Sequence, residues 1–188
     1  LRRGLALYPS KLYIQYLGPD KSTLVTPHLA LQPPKGLGVV SVLQGRYTYK
    51  HYLQDEFLDR GWGCAYRSLQ TLISWLMWQE KTPLESPGPL PTHIEIQRSL
   101  VRIGDKPASF AGSKQWIGSL EVSFCIQELY GIQCRLLPIS RGSEMSSQAG
   151  SLIAEHFASG GGPVMVGGGQ LAHTIIGIQL KNMDYDSR

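Results

Sequence analysis

The sequence predicts an α+β fold in which helices come first and a mainly antiparallel sheet follows. Apolar residues recur at helical spacing from Ala65 onward and again in two segments between residues 92 and 130. After Gly131 the pattern changes to short runs of branched apolar residues, divided by one further helical segment and by glycines. A cysteine, Cys64, stands immediately before the first apolar helical position. We therefore expect an early helix that carries Cys64 and packs against the later sheet.

The first part of the chain differs in composition from the rest. Residues 8–17 mix aromatic and branched residues and stop at the turn signal Gly18-Pro19-Asp20, which predicts a short strand. The stretch from Thr26 to Gly38 is rich in proline and glycine, as linkers and surface loops are. We therefore predict an N-terminal extension or linker at residues 1–37 and a compact domain at residues 38–188.

The domain is predicted to open with a strand and with the helix that carries Cys64. Val39–Leu43 is a run of mostly branched apolar residues, which is typical of a strand. The helix is expected to end near Trp78, before a cluster of prolines that no helix can cross. Gly61 and Gly63 permit a tight turn that ordinary residues resist. The sequence thus places Cys64 in the first turn of a helix, directly after a glycine turn.

Two further helices carry their own start and stop signals. Thr92 and Glu95 form a capping box, in which each side chain accepts a hydrogen bond from the other residue's backbone. The helix that follows is expected to end at Gly104, and the next helix at Gly131. The predicted buried positions of these two helices are Ile96, Leu100, Ile103, Val122, Cys125, Ile126 and Leu129.

The last part of the domain alternates between strands and a helix. Ile132–Leu137 is predicted to be a strand, Ser147–Ser159 a helix closed by a glycine, and Pro163–Val166 a second strand. Gly167–Gly169 is expected to turn the chain into a third strand, Ala172–Ile178, which is mostly apolar and therefore predicted to be central. Helices first, with a cysteine on the earliest, and a sheet behind them is the order of papain-like cysteine peptidases.

Cys64 is a candidate nucleophile because of where its helix places it. The first turn of a helix presents unpaired backbone amides and the positive end of the helix dipole, and both favour a thiolate over a thiol. The alternative is open at this level, since free cysteine is among the most buried residue types and usually only packs. The local pattern therefore allows either a catalytic or a packed cysteine.

A thiolate nucleophile needs a base, for which histidine is the usual choice near neutral pH. On spacing alone His173 is the best base in the sequence, because it opens a predicted buried strand after the glycine turn. Its orienting partner would be Asn182, Asp184 or Asp186. The remaining histidines are expected to be structural, namely His28, His51, His93 and His156.

The oxyanion that forms during acyl transfer needs hydrogen-bond donors near the scissile carbonyl. The backbone amide of Cys64 would supply one donor and a side chain the other. Tyr52 and Gln54 both lie a short way upstream, and either is able to reach. A packed aromatic ring is the alternative interpretation of Tyr52.

Composition argues against several other functions. The chain has 188 residues, of which 42% are hydrophobic and 17% charged, and its formal charge of +4 comes from scattered Lys and Arg. We therefore predict neither nucleic-acid binding nor a membrane span. The three cysteines Cys64, Cys125 and Cys134 cannot all pair and lack the spacing of a zinc site, which favours a reducing cytosol and no metal. Gly167–Gly169 precedes a strand, unlike a phosphate-binding loop, so no cofactor is expected.

Several longer motifs occur in a fixed order between about Gln44 and Leu180, and residues 1–43 carry little of this pattern. The motifs are Gln44-Gly45, Tyr49-Lys50-His51-Tyr52-Leu53-Gln54-Asp55, Gly61-Trp62-Gly63-Cys64-Ala65-Tyr66-Arg67-Ser68-Leu69-Gln70-Thr71, Gly104-Asp105-Lys106-Pro107-Ala108, Trp116-Ile117-Gly118-Ser119 with Glu121, and Gly167-Gly168-Gly169 leading to Ala172-His173-Thr174. Together they resemble the ubiquitin-fold modifier-specific cysteine proteases, in particular the longer members with an N-terminal extension.

The resemblance implies a papain-like fold and thiol hydrolysis after the C-terminal glycine of a small ubiquitin-like modifier. Members of this family trim the modifier's precursor and release it from lysine side chains. By motif position, Cys64 matches the nucleophile and Tyr52 the tyrosine of the oxyanion hole. The implied partners are the modifier and its conjugates. The implied location is the cytoplasm, with any association to the endoplasmic reticulum surface made through an adaptor and not by membrane insertion.

The sequence departs from the family in one functional motif. The resemblance places the acid and the base in an Asp-Pro-His box on the strand after the Ala-His-Thr strand, and no Asp-Pro-His occurs in this sequence. His173 matches a family position that is not the base. We therefore expect a protease domain that is incomplete at its C-terminus, with impaired catalysis. The alternative is a non-catalytic protein that binds or scaffolds the modifier.

Overall fold

Four α-helices and six short strands make up the part of the chain that the computed structural model describes, residues 24–32, 38–79, 89–146 and 148–180. The helices are α1 (Cys64–Trp78), α2 (His93–Arg102), α3 (Ser119–Tyr130) and α4 (Gln148–Ala158). The strands are β1 (Leu24–Val25), β2 (Val39–Val42), β3 (Thr48–Tyr49), β4 (Val164–Gly168), β5 (Leu171–Ile175) and β6 (Gly177–Leu180). All four helices precede β4, as the α+β prediction requires.

The strands form three antiparallel pairs and not one continuous sheet. β1 pairs with β3, β2 with β6 and β4 with β5. In the β4–β5 hairpin, Val164 lies opposite Ile175 and Gly168 opposite Leu171. The chain then changes partner at Ile176, whose carbonyl accepts a hydrogen bond from the Leu43 N–H, before β6 pairs with β2. The central strand predicted at Ala172–Ile178 is therefore wrong, because the segment is divided into two strands that each pair with one described neighbour.

The predicted glycine turn is also displaced. Gly167 and Gly168 belong to β4, and the chain reverses at Gly169-Gln170. Gly169 has a φ of +57°, in the left-handed region that glycine adopts without steric cost. The first two glycines of the run thus extend the strand, and only the third serves the turn.

Helix α1 is the element around which the described residues pack. It contacts α3 and the strands β3, β4 and β5. One apolar cluster joins α1 to α2 and α3, and its fully buried members include Tyr66, Leu69, Ile73, Ile96, Leu100 and Cys125. A second cluster joins the end of α1 to α4 and the strands, through Leu43, Tyr47, Trp75, Ile153 and Phe157. Because α1 is packed on several sides, Cys64 at its first position is held in a defined place.

Most of the predicted helix boundaries are confirmed. α1 ends at Trp78, and the capping box of α2 is present, since the Thr92 side chain accepts from the Glu95 N–H and the Glu95 side chain from the Thr92 N–H. Gly131 ends α3 with a φ of +66°. Ile103 is the exception, because it caps α2 and is 42% exposed instead of lying on the buried face.

Ile132–Leu137 is not a strand, contrary to the prediction. The segment borders an apolar groove of about 300 Å³ between α1, α3, α4 and β4. Leu136 is 48% exposed and Leu137 39%. The residues have the composition of a strand, but a strand forms only where a neighbour satisfies its backbone hydrogen bonds, and no strand in the described ranges pairs with this one.

Residues 24–28, which precede the predicted domain, pack on its surface. Leu24 and Val25 form β1 and are buried, and the Thr26 N–H donates to the carbonyl of Tyr47 at 2.9 Å. His28 stacks on the Tyr47 ring with 5.5 Å between centroids. Part of the predicted extension or linker therefore lies against the domain surface. The strand predicted at residues 8–17 falls outside the described residues.

Candidate active site

A tight turn delivers Cys64 to the start of α1. The Trp62 and Gly63 N–H groups both donate to the carbonyl of Asp59, at 3.2 and 2.8 Å. Gly61 has a φ of +88°, the conformation for which the sequence predicted a glycine. The Trp116 indole donates to the Gly61 carbonyl at 3.0 Å and so ties a distant loop to the turn. The turn is thus closed by its own backbone and held from outside by an aromatic side chain.

Gly63 is needed for a different reason from the one predicted. Its φ of −84° is open to any residue. A Cβ at this position, however, would lie 2.6 Å from both Cβ and Oδ2 of Asp59. Gly63 therefore permits close packing of the turn against the Asp59 side chain, and not an unusual backbone conformation.

Cys64 differs from the other two cysteines in both position and exposure. It is the first residue of α1, it is partly exposed, and no side chain caps the helix before it. The unpaired amides and the positive end of the helix dipole therefore lie at the position of Cys64. Burial raises the pKa of the Cys125 thiol to about 11, and Cys134 lies exposed in the segment after α3. Of the three, Cys64 has the setting of a nucleophile.

The Tyr52 phenol lies beside Cys64. It interacts with the Cys64 thiol and with the Cys64 backbone amide. Burial, followed by the nearby thiol of Cys64 and then by Asp59, raises the pKa of Tyr52, so the hydroxyl stays protonated and able to donate. The Gln54 side chain is buried and its oxygen accepts from the His51 N–H at 3.3 Å, and no contact among the described residues brings its amide nitrogen to Cys64. Of the two predicted oxyanion donors, the structure brings Tyr52 to the cysteine.

A buried polar cluster, formed by Asp59, Arg67 and His93, lies behind the turn. Arg67 Nε donates to Asp59 Oδ2 at 2.5 Å, and His93 Nε2 lies 3.1 Å from the same oxygen. All three residues are at most 5% exposed. No role for Asp59 or Arg67 was predicted from the sequence, although one signal was available. Arg67 is the only charged residue of α1, and a charged side chain on a buried helix has to find a partner.

His93 is held neutral within this cluster. Its ring stacks on Tyr66, with centroids 4.9 Å apart, and lies near Phe57 and Trp62. Burial, and to a smaller extent the positive charge of Arg67, lowers the pKa of His93 to about 4. A neutral, enclosed imidazole at this place agrees with the structural role that the sequence predicted for it.

His173 does not reach the nucleophile helix. In β5 the side chains alternate between two faces. Thr174 faces α1, since its hydroxyl lies 2.7 Å from the hydroxyl of Ser68, one helical turn after Cys64. His173 therefore points to the opposite face, and it is exposed. The assignment of His173 as the base from spacing alone is wrong, and its predicted partners Asn182, Asp184 and Asp186 lie outside the described residues.

The remaining histidines make contacts that suit a structural role. His51 Nδ1 lies 2.7 Å from the carbonyl of Tyr52, and His156 Nε2 lies 2.8 Å from the carbonyl of Gly162. His28 Nδ1 lies 3.2 Å from the Tyr47 hydroxyl. Within residues 24–32, 38–79, 89–146 and 148–180, none of these rings is hydrogen-bonded to Cys64.

The described ranges contain no group of three or more His, Cys, Asp or Glu side chains arranged to hold a metal ion. No described helix is long and apolar enough to span a membrane. The chemistry that can be argued from this part of the chain is that of Cys64, Tyr52 and their neighbours.

Comparison with known proteins gives a family, several relatives and a structural neighbour. The model of Peptidase family C78 matches residues 38–186. Ufm1-specific protease 2 of Homo sapiens is 54% identical over 153 residues, which make up 81% of this chain and 32% of that protein. Its counterpart in Mus musculus is 53% identical over 172 residues, 91% of this chain and 35% of that protein. This chain thus spans about a third of the length of the curated relatives that it matches.

The solved structure of UfSP from C. elegans matches with a TM-score of 0.74 and 40% sequence identity. The match covers 87% of this chain and 28% of the other. At this identity and coverage the likeness extends to sequence as well as to architecture. It confirms the predicted α+β fold of the papain-like class, with the cysteine on an early helix.

Proposed function

This chain belongs to peptidase family C78, and we propose that it is the cysteine-bearing domain of a thiol protease that cleaves a ubiquitin-fold modifier after its C-terminal glycine. On this proposal the enzyme trims the modifier's precursor and releases the modifier from lysine side chains. The relatives named Ufm1-specific protease 2 support this substrate class.

The observation that carries the proposal is the pairing of Cys64 with Tyr52 at the start of α1. A cysteine at an uncapped helix N-terminus is placed to react as a thiolate. A protonated phenol beside both its sulfur and its backbone amide is placed to donate to an oxygen that develops charge nearby. Structural cysteines do not need such a donor, and neither Cys125 nor Cys134 interacts with a tyrosine in this way among the described residues.

The chemistry would proceed in two halves. In the first, the Cys64 sulfur attacks the carbonyl carbon of the modifier's terminal glycine, and the carbonyl oxygen takes up the negative charge. The Cys64 N–H and the Tyr52 hydroxyl donate to that oxygen. The carbon–nitrogen bond then breaks, and the leaving amine takes a proton. In the second half, water hydrolyses the thioester, which returns the free thiol and the modifier's carboxylate.

A second candidate function is non-catalytic binding of the modifier. It is favoured by one observation, that no histidine in the described residues is hydrogen-bonded to Cys64. Without a base the thiolate forms less readily and the leaving amine is not protonated, which costs orders of magnitude in rate. A binding protein would still hold the modifier and would lose turnover.

Labelling with an electrophilic substrate separates the two candidates. We expect a modifier with an electrophilic C-terminus to form a covalent adduct at Cys64 of the full chain, and Cys64→Ala to form none. With a fluorogenic amide of the modifier, Tyr52→Phe should lower kcat by about a hundredfold, because one oxyanion donor is lost. Tyr49→Phe is the matched control, since this tyrosine is 39% exposed on β3, and its rate should stay within about twofold.

The possible results point in different directions. An absence of adduct in a chain whose buried Cys125 stays protected from alkylation would contradict the catalytic proposal. Modifier binding that survives Cys64→Ala, without turnover in the unsubstituted chain, would establish the second candidate in its place. An absence of binding would remove both.

Two further parts of the proposal concern organisation and location. We infer a protease domain at residues 38–188 preceded by an extension at residues 1–37, and the start of the family match at residue 38 supports this division. We also infer a reducing, cytoplasmic setting, because a nucleophilic thiol must stay reduced and all three cysteines are free. Attachment to the endoplasmic reticulum surface would depend on an adaptor, which cell fractionation with and without that adaptor would test.

A further inference from the structure

We propose that Asp59 is a positioning residue for the reaction at Cys64: its carboxylate holds the turn that carries Tyr52 against the turn that carries Cys64. This inference rests on the proposed function, because it concerns the alignment of the oxyanion donor with the nucleophile. Asp59 does not touch the substrate, since its side chain is 0% exposed.

Asp59 is bonded to both turns at once. Its Oδ1 accepts a hydrogen bond of 2.8 Å from the N–H of Leu53, the residue after Tyr52. Its backbone carbonyl accepts from the N–H of Gly63, the residue before Cys64, at 2.8 Å. One residue thus fixes the chain immediately beside the phenol and immediately beside the thiol.

The same carboxylate is anchored to α1 itself. Its Oδ2 accepts from Arg67 Nε at 2.5 Å, and Arg67 lies on α1 less than one turn after Cys64. Arg67 also reaches the turn at residues 52–56, the Tyr52 turn, because its Nη2 donates to the carbonyl of Gln54 at 2.9 Å. A rotation of α1 relative to the Tyr52 turn would break the bonds of both side chains together.

The Tyr52 turn requires such an anchor because its backbone is strained. Leu53, Asp55 and Glu56 have φ values of 61°, 60° and 55°, in the left-handed region that non-glycine residues avoid. Strained residues of this kind persist only where surrounding contacts hold them, and they cluster at functional sites. Without the hydrogen bond that the Leu53 N–H donates to Asp59, the turn is free to relax and to move the Tyr52 hydroxyl away from Cys64.

The competing explanation is that Asp59 only neutralises the buried charge of Arg67. The two explanations predict opposite signs for Asp59→Asn at Cys64. Removal of a nearby negative charge favours the thiolate and would speed the reaction of Cys64 with an alkylating agent. Asparagine has a single side-chain acceptor and cannot accept from both the Leu53 N–H and Arg67, so one of the two anchoring bonds is lost. Loss of position then removes the Tyr52 hydroxyl from the sulfur, which takes away a donor to the thiolate and slows the reaction.

The test is alkylation of the full chain by iodoacetamide at neutral pH, followed separately at each cysteine by peptide mass spectrometry. Exposed Cys134 serves as the reference thiol, and fully buried Cys125 reports whether the fold is intact. We expect Asp59→Asn to lower the rate at Cys64 about tenfold relative to Cys134. Asp55→Asn is the matched control, because its carboxylate also contacts Arg67, at 3.2 Å, but is 55% exposed, and its rate should stay within about twofold.

A double variant decides whether Asp59 acts through Tyr52. Tyr52→Phe alone should also lower the Cys64 rate about tenfold. In the combined variant, the Asp59 substitution should add less than about twofold, since the hydroxyl that it positions is already absent. Independent, multiplying effects, or faster alkylation of Asp59→Asn, would overturn the proposal.

A second variant covers the case in which Asp59→Asn exposes Cys125 and so does not fold. Gly63→Ala leaves the charges of Asp59 and Arg67 in place but brings a methyl group to 2.6 Å from the Asp59 carboxylate. We expect slower alkylation of Cys64 with Cys125 protected, and an unchanged rate would overturn the proposal. The alkylation test does not depend on the modifier. If the unsubstituted chain does not react with the electrophilic modifier but the variants still show these differences in alkylation rate, the proposed function is refuted and the positioning role of Asp59 is retained.

Discussion

The surroundings of the first turn of α1 differ in kind from those of its later turns. At the N-terminal end, Cys64 is surrounded by directional bonds, most of which pass through Asp59 and Arg67. Beside its later turns, α1 borders the apolar groove of about 300 Å³, whose outer wall is the exposed segment 132–137. The first region is defined by hydrogen-bond geometry, whereas the second is lined mainly by apolar side chains.

Hydrogen bonds and apolar contacts differ in how precisely they fix the positions of the groups that they join. Hydrogen bonds and ion pairs fix distance and angle, so a buried network holds its members in one arrangement. Apolar contact is non-directional and tolerates sliding or partial exposure. The end of the helix that carries the proposed chemistry is the end that specifies position.

Arg67→Met is expected to cause the largest loss of stability. The substitution leaves the Asp59 carboxylate buried without its partner, and breaking a buried pair in this way costs about 3–5 kcal/mol. Urea unfolding followed by circular dichroism measures the free energy of unfolding. The matched control is Arg135→Met in the exposed segment beside the groove, for which we expect a change within about 0.5 kcal/mol. Equal effects of the two substitutions would contradict the contrast between the two regions.

Lowering the pH should cause the second-largest loss of folding stability, through His93 in the buried cluster behind the Cys64 turn. The folded-state pKa of His93, about 4, lies below the ordinary histidine value of 6.5, so the unfolded chain binds a proton between these pH values that the folded chain does not. The contribution of His93 is therefore complete above pH 6.5 and falls as the pH is lowered to 4, by up to roughly 3 kcal/mol.

This pH dependence is measured by chemical unfolding at a series of pH values. His28 adds a loss of the same sign, because burial lowers its pKa as well. The comparison with His93→Gln isolates the contribution of His93, since the variant should lose less stability than the unsubstituted chain over the same interval. Parallel curves for the two proteins would show that His93 is not held neutral.

Leu136→Ala should have the smallest effect. The side chain is 48% exposed at the outer wall of the groove, so truncation removes little buried surface, and we expect a loss below about 1 kcal/mol. Leu69→Ala in α1 is the matched control, because this leucine is fully buried and should cost about 2–5 kcal/mol. A comparable loss at both positions in thermal or urea unfolding would mean that residues 132–137 are packed more firmly than their exposure indicates.

The parts of the fold that sequence predicted well depend on neighbours along the chain. The capping box of Thr92 and Glu95, the stop at Gly131 and the span of α1 were all predicted, because helix signals lie within a few residues of one another. The segment 132–137 failed for the opposite reason. Its composition suits a strand, but pairing requires a partner that is distant in sequence.

The site divides in the same way. Local sequence patterns predicted that Cys64 lies in the first turn of α1 and that the preceding turn needs a glycine at position 61. These patterns did not predict that Tyr52, and not Gln54, lies beside Cys64, or that His173 points away from α1. Both depend on which face of a segment meets α1, and adjacent residues in a strand point in opposite directions.

The α+β order, the helix that begins at Cys64 and the resemblance to a protease family are therefore all visible in the sequence. The meeting of Asp59, Arg67 and His93 behind the turn is visible only in the folded chain, as is the close packing of Gly63 against the Asp59 side chain. The physical reason is that helix and turn signals act between near neighbours, whereas a buried charge is satisfied by whichever partner the folded chain brings to it.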